Sequence, residues 1–307
     1  MRIAFALWFV LLPGLLMAQN TTKTVAERLG YPADSRLLVI HADDVGMSHS
    51  VNQATMEALE KHWVTSASIM VPCPWFPEVA EWAKAHQDAD LGIHLTLNSE
   101  WSSYRWPGLT TSPGSSLLDA QGYLPLTTSE VLHNAKASDV QTEANAQVDR
   151  ARQAGIALSH LDTHMGTIVS SPQFFNVYIG LGRSYGLPVL LERRPDFMGV
   201  EFPREGIVTD KVLMMLPGPS KEEWLGAYEK MLASLPPGSY QLIVHLGFDN
   251  DELRGATAGH PDYGAAWRQR DFDVVSNPNF QRFLKDQKFI LVSWGQLAKA
   301  LPGNWRQ

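Results

Sequence analysis

Leu37-Leu-Val-Ile-His-Ala-Asp-Asp44 is a short apolar, strand-like run that gives out on a pair of carboxylates. The pattern recurs along the chain. Leu91-Gly-Ile93 leads to His94, Ala157-Leu-Ser-His-Leu161 brings Asp162 and His164, and Leu242-Ile-Val244 ends on His245. Short apolar runs separated by longer segments with helical patterning predict repeated βα units. In barrels built from such units, the C-terminal ends of the strands converge on one mouth. Imidazoles and carboxylates gathered there are what a divalent metal ion and an acid–base pair require.

Strand-like runs fall at 37–41, 66–71, 91–97, 156–162, 187–191, 242–245 and 289–293. Helices are expected between them at 50–61, 77–86, 138–154 and 222–235. The first has Ser50 as its cap with Gln53 three residues on. The third stops before Gly155, and the fourth before Pro236-Pro237-Gly238. Seven runs alternating with helices predict a single α/β domain, either a parallel barrel or a doubly wound sheet.

Three long connections follow candidate site strands, where functional loops belong. Residues 99–126 carry Trp101, Tyr104, Trp106 and Tyr123; 193–220 are rich in Pro, Gly and Arg; 248–278 are polar and hold His260. Trp101, Tyr104 and Trp106 are the candidate substrate-binding residues, because flat aromatic faces suit sugar rings. The alternative is that such aromatics are tucked onto the barrel as core.

With 307 residues, 45% hydrophobic and 19% charged, the chain is an ordinary globular protein rather than a disordered one. Its net charge of −7 argues against nucleic acid or an anionic membrane as partner. Residues 1–18 read as a signal peptide: Arg2 precedes an apolar, uncharged run from Ile3 to Met17, and Ala18 is a small residue at the cut. The run is short for a membrane span, so an exported protein is expected, periplasmic or extracellular, with no membrane attachment after cleavage. Residues 19–35 form a polar leader and 36–307 the barrel domain. No oligomeric state follows from the sequence. The single cysteine, Cys73, lies between Pro72 and Pro74 and cannot form an intrachain disulfide, so the core must hold the fold. An inert buried thiol is expected there.

Neighbouring side chains on a strand point to opposite faces, so Asp43 and Asp44 share a site only if the chain is leaving the strand; Gly46 would permit that turn. One carboxylate would then serve as a metal ligand and the other as a base, unless the pair is mere turn chemistry. In His160-Leu-Asp162-Thr-His164 the polar members alternate and share one strand face, which an apolar core would not tolerate. His164 is the candidate ligand, with Asp162 orienting it or a neighbour and His160 also placed behind the ligands. An Asp and two His with a position left open is the catalytic pattern, since closed structural zinc sites usually add Cys. The chain is therefore a candidate metal-dependent hydrolase. Its rivals are a glycoside hydrolase, which needs two carboxylates about 5–9.5 Å apart, and a non-catalytic carbohydrate-binding barrel.

Five segments resemble, in order, the YdjC-like (ChbG/HpnK) carbohydrate deacetylases. They are Val39-Ile-His-Ala-Asp-Asp-Val-Gly-Met-Ser48 with Val64-Thr-Ser-Ala-Ser-Ile-Met-Val71, Leu91-Gly-Ile-His-Leu-Thr-Leu97, Ser116-Leu-Leu-Asp-Ala-Gln-Gly-Tyr-Leu124, Ser159-His-Leu-Asp-Thr-His164 and Val244-His-Leu-Gly-Phe248. The resemblance covers roughly 36–300. It implies a distorted (β/α) barrel of about seven parallel strands, related to polysaccharide deacetylases, that removes acetyl groups from N-acetylated carbohydrates with one divalent metal ion, Zn²⁺ or Mg²⁺. Matching positions make Asp43 the base, Asp44, His94 and His164 the metal ligands, and His245 the general acid. Two departures stand out: Met165-Gly166-Thr167 where further histidines are frequent, and Leu246 where a Pro is common.

Overall fold

In the computed structural model, which describes residues 23–110, 115–193, 206, 208–301 and 303, the run at Leu37 becomes the long central strand Arg36–Val45 (β1). Six strands follow: Ser66–Ile69 (β2), Leu91–Leu95 (β3), Leu158–Thr163 (β4), Lys211–Met214 (β5), Gly238–Val244 (β6) and Phe289–Leu291 (β7). All their pairings are parallel, in the order β4-β3-β2-β1-β6-β5, with β7 beside the first residues of β1. Residues 187–192 bring the two edges together. Val189 bridges to Leu161 of β4, and Glu192 bridges to Thr209 just ahead of β5. The sheet thereby closes into a distorted barrel, as expected.

Helices fill the connections: Val25–Arg28 (α1), His49–Glu60 (α2), Phe76–Ala85 (α3), Thr128–Asn134 (α4), Ala137–Gln153 (α5), Pro172–Tyr185 (α6), Trp224–Ala233 (α7), Asp251–Ala256 (α8), Ala265–Val275 (α9), Pro278–Asp286 (α10) and Trp294–Leu297 (α11). Side-chain alternation sorts the strand residues. Leu38, Ile40, Ala67, Ile69, Ile93, Leu161 and Leu242 turn outward into the large core beneath the helices. Each Leu or Ile among them, fully buried, contributes about 1.5–3 kcal/mol. The opposite faces of the same strands bring His41, Ser68, His94, His160, Asp162 and Gln241 into the barrel interior, all buried. That is why the runs look apolar yet are punctuated by imidazole and carboxylate.

The bottom of the barrel is sealed by a second apolar cluster that joins Leu37 and Val39 to Trp294, Leu297 and the α1 residues Val25 and Ala26. The polar leader expected at 19–35 therefore docks through a short capped helix. Trp294 stacks on His160 at 4.9 Å between ring centroids and donates from Nε1 to Gln241. Gly92 makes room for that histidine, since a Cβ there would lie 2.3–2.5 Å from three imidazole atoms. Gly92→Ala is expected to destabilise the fold by about 1–3 kcal/mol through overpacking, measured by urea unfolding. Unchanged stability would show that the His160 ring can swing aside freely.

Several boundaries differ from the sequence expectation. Ser48, not Ser50, caps α2 by accepting the Val51 N–H, while the Ser50 hydroxyl donates to the Phe248 carbonyl. Residues 187–191 make bridges rather than a full strand, and the missing ladder is supplied by β5, inside a segment expected to be a loop. The expected loop at 248–278 holds α8 and α9. Helix α6 was also not expected, although Ser171 caps it and Pro172 opens it. Cys73 is buried, and burial pushes its thiol pKa well up, as an inert thiol requires. The expected signal segment at 1–18 lies outside the described residues.

Candidate active site

A break in strand periodicity builds the acidic pair. Ala42 pairs with Ala67 and Val45 with Ile69, so β1 takes three steps where β2 takes two. This is a β-bulge, which re-aims side chains locally. Asp44 sits in the left-handed region at φ 67° and Gly46 follows at φ 97°. The chain does not leave the strand here, as the sequence suggested; β1 continues through Val45 and the bulge turns both carboxylates into the mouth. A non-glycine residue in that region costs about 1–3 kcal/mol, and the ion pairs of Asp44 hold it there.

Asp44 Oδ1, His94 Nε2 and His164 Nδ1 form a triangle with each side 3.3 Å. Each ring is oriented by a carboxylate on its other nitrogen. His94 Nδ1 donates to Asp162 Oδ1 at 2.8 Å, and His164 Nε2 donates to Glu100 Oε2 at 2.9 Å. The two remaining nitrogens then turn lone pairs towards each other and towards Asp44 Oδ1, a buried oxygen that accepts no hydrogen bond. Such an arrangement calls for positive charge among the three atoms, supplied by protons on the rings or by a cation. Their spacing fits one: a tetrahedron with about 2.0–2.1 Å from centre to vertex has edges of about 3.3–3.4 Å. Arg268 Nη2 occupies the other Asp44 oxygen at 2.7 Å, which leaves Oδ1 as the free donor.

The electrostatics agree. Burial opposes ionisation of Asp44, yet Arg268, His164 and His94 hold its pKa well below the carboxylate range. Burial also opposes charge on His94, but Asp162, Asp43 and Asp44 outweigh it and raise its pKa well above the usual imidazole value. His164 is raised to about 9 against burial by Glu100 and Asp44. Negative charge that draws protons to these rings equally favours a divalent cation, whose binding displaces the protons.

Asp43 stands beside the triangle, with Oδ2 3.9 Å from His94 Nε2 and Oδ1 3.2 Å from His41 Nε2. His41 is raised to about 9, burial being outweighed by Asp162 and Asp43. Deeper in the barrel, His160 Nδ1 meets Ser159 Oγ at 2.8 Å and its Nε2 lies 3.9 Å from Asp162 Oδ2, while burial lowers its pKa. Asp162 thus holds the His94 ring by a hydrogen bond, and His160 reaches Asp162 only loosely.

His245 follows the last residue of β6 and lines the same cavity as Asp43, Asp44, His94 and His164. Its backbone N–H donates to Asp271, which also accepts from Trp224 and Tyr228. Burial, aided by Arg268 and His94 and opposed by Asp44 and Asp43, lowers the His245 pKa to about 4. Its resting ring is therefore neutral. Burial lifts Asp271 to about 6 against those three donors and Arg268.

The cavity has a volume of about 1360 Å³ and is lined by the acids and imidazoles together with Phe175, Leu191, Leu213 and Met214. Of the three candidate aromatics only Trp101 lines it, with His260 edge-on at 4.9 Å between centroids. Tyr104 and Trp106 correct the expectation: their polar tips are spent on backbone carbonyls of Met47 and Asn98, and Trp106 is fully buried. Three participants carried no sequence signal strong enough to single them out. Glu100 is a lone acid in an irregular segment, and Arg268 and Asp271 lie on α9, whose buried face mixes Trp267, Arg268, Asp271 and Val274.

A parallel βα barrel with an acid–imidazole cluster at the carboxyl ends of its strands has the layout of a barrel enzyme's active site. The chain belongs to the YdjC-like family, whose model matches residues 37–286. It is 33% identical over 285 residues to a carbohydrate deacetylase of Thermus thermophilus, covering 90% of this chain and 98% of that protein. A carbohydrate deacetylase of Brevibacillus brevis is 30% identical over 270 residues, with 85% and 99% covered. The crystal structure of an Enterococcus faecalis protein assigned to cellobiose-phosphate cleavage superposes with a TM-score of 0.72 over 86% of this chain and 99% of that one, at 22% identity, and shares its fold.

Proposed function

We propose that this chain is a metal-dependent carbohydrate deacetylase that hydrolyses the acetamide of N-acetylated sugars or oligosaccharides and releases acetate. The triangle of donors carries the proposal: Asp44 Oδ1, His94 Nε2 and His164 Nδ1 at 3.3 Å spacing, each ring fixed from behind by a carboxylate. The named relatives support the chemistry and the carbohydrate substrate. Asp44, His94 and His164 would hold one divalent ion. Two imidazoles with one single-oxygen carboxylate suit Zn²⁺ better than Mg²⁺, which favours oxygen donors in an octahedron. When bound, such an ion acidifies water and polarises the acetyl carbonyl.

The remaining steps belong to side chains. Asp43 accepts a proton from the attacking water. His245 protonates the departing amine, which would otherwise leave as a very poor anion. Because its resting ring is neutral, His245 first takes a proton from solvent as negative charge builds on the substrate, and then passes that proton to the nitrogen as the C–N bond breaks. Trp101, edge-on to His260, borders the cavity where the sugar would lie but is itself largely buried. Export directed by residues 1–18 is part of the same proposal and would place the substrate outside the cytoplasm.

The mature protein, stripped and then reloaded with Zn²⁺ or Mg²⁺, is expected to release acetate from N-acetylated mono- or oligosaccharides, whereas the stripped form is not. Chelator-insensitive glycosidic cleavage without acetate would replace this function by glycoside hydrolysis. Sugar binding without turnover under any metal would replace it by a binding role. Glu100→Ala is expected to weaken metal affinity about 10–100-fold, read by competition with a chromophoric chelator. Unaltered affinity would show that Glu100 does not orient His164.

A further inference from the structure

His41 takes no part in the chemistry above, yet it is fully buried in the barrel interior, two residues before Asp43 on the same face of β1. A buried imidazole needs partners. Its Nε2 is hydrogen-bonded to Ser68 Oγ at 3.1 Å and lies at ion-pair distance from two carboxylate oxygens, Asp162 Oδ2 at 2.9 Å and Asp43 Oδ1 at 3.2 Å. Asp162 uses its other oxygen on His94 Nδ1 at 2.8 Å, and Ser68 Oγ lies 3.1 Å from that same nitrogen. One carboxylate and one hydroxyl therefore join the ring that faces Asp43 to a ring that faces the cation site.

Asp43 itself sits in the bulge, where the ladder does not fix its neighbours in register. Among the described residues, His41 makes the only ion-pair or hydrogen-bond contact to Asp43 Oδ1. The other oxygen is left facing the triangle, 3.9 Å from His94 Nε2.

We propose that His41 is a positioning residue: by holding Asp43 Oδ1 it presents Oδ2 to the attacking water, and through Asp162 it keeps that oxygen in register with His94. The inference rests on Asp43 being the base in the proposed deacetylation. Displacing a reacting group by about 1 Å costs on the order of 100-fold in rate, so the effect belongs in turnover rather than in substrate binding.

The test is acetate release by the metal-reconstituted chain, for wild type, His41→Ala, His41→Gln and Asp43→Asn, with kcat expressed per bound metal. His41→Ala is expected to lower kcat about 100-fold, with KM and metal content little changed. His41→Gln, whose amide nitrogen can take the place of the imidazole Nε2 beside Asp43, is expected to recover most of the loss. A merely structural role would reduce the yield of folded, metal-loaded protein and leave kcat per metal as in the wild type; that result overturns the proposal, as does the absence of recovery in His41→Gln. The Asp43→Asn arm separates the two possible failures. Turnover lost there but kept in His41→Ala overturns the positioning role alone, whereas turnover kept in Asp43→Asn overturns the base assignment beneath it.

Discussion

Asp43→Asn is expected to leave the metal in place and remove turnover. The two side chains have nearly the same shape, so the bulge and the cavity should persist. The amide cannot take a proton from water at neutral pH, and losing a general base costs about 10²–10⁴-fold. Metal should stay because Asp43 is not one of the three triangle atoms: its nearer approach to His94 Nε2 is 3.9 Å, against 3.3 Å for Asp44. Elemental analysis beside an acetate-release assay reads both quantities on one sample. Wild-type turnover in this variant would remove Asp43 from the chemistry, and loss of the metal would place it among the ligands.

His94→Ala should do more damage, because it takes metal and activity together. The substitution deletes one vertex of the triangle and strips Asp162 of its 2.8 Å hydrogen bond, leaving a buried carboxylate short of donors. The loss of affinity should exceed the about 10–100-fold expected for outer partners such as Glu100. Equilibrium dialysis against Zn²⁺ measures it directly. A variant that still binds one ion per chain at wild-type affinity and still releases acetate would show that the triangle is not the metal site.

The parts of this site that could be read from the sequence are those where two periodicities met. Apolar residues facing the helices alternate with polar residues facing inward, so Asp43, His94, His160 and Asp162 stood out from their own strands, whereas His41 and Gln241 were passed over as members of apolar runs. Strand-end histidines followed by a change of pattern gave the positions of His164 and His245. The bulge escaped because nothing local marks it except Gly46; Asp44 adopts its left-handed backbone only with Arg268 and the two imidazoles around it. Arg268 and Asp271 escaped because a helix that buries charge against a polar barrel rim lacks the apolar stripe by which helices are recognised. Tyr104 and Trp106 were placed on the wrong side of the wall, since aromatic composition says nothing about which carbonyl a ring will find.

The closure of the barrel is uneven. Around β1 the staves are locked by long runs of partners, seven of them between β1 and β6, but between β4 and β5 the hoop is carried, among the described residues, by single bridges at Val189 and Glu192. Segments with few backbone partners open at the lowest free-energy cost. That weak seam borders the cavity through Leu190, Leu191 and Glu192, whereas Asp44 and His94 stand on the locked staves. Spreading the seam for a bulky guest would leave Asp44 and His94 in place and move chiefly the β4 side, where His164 follows the strand.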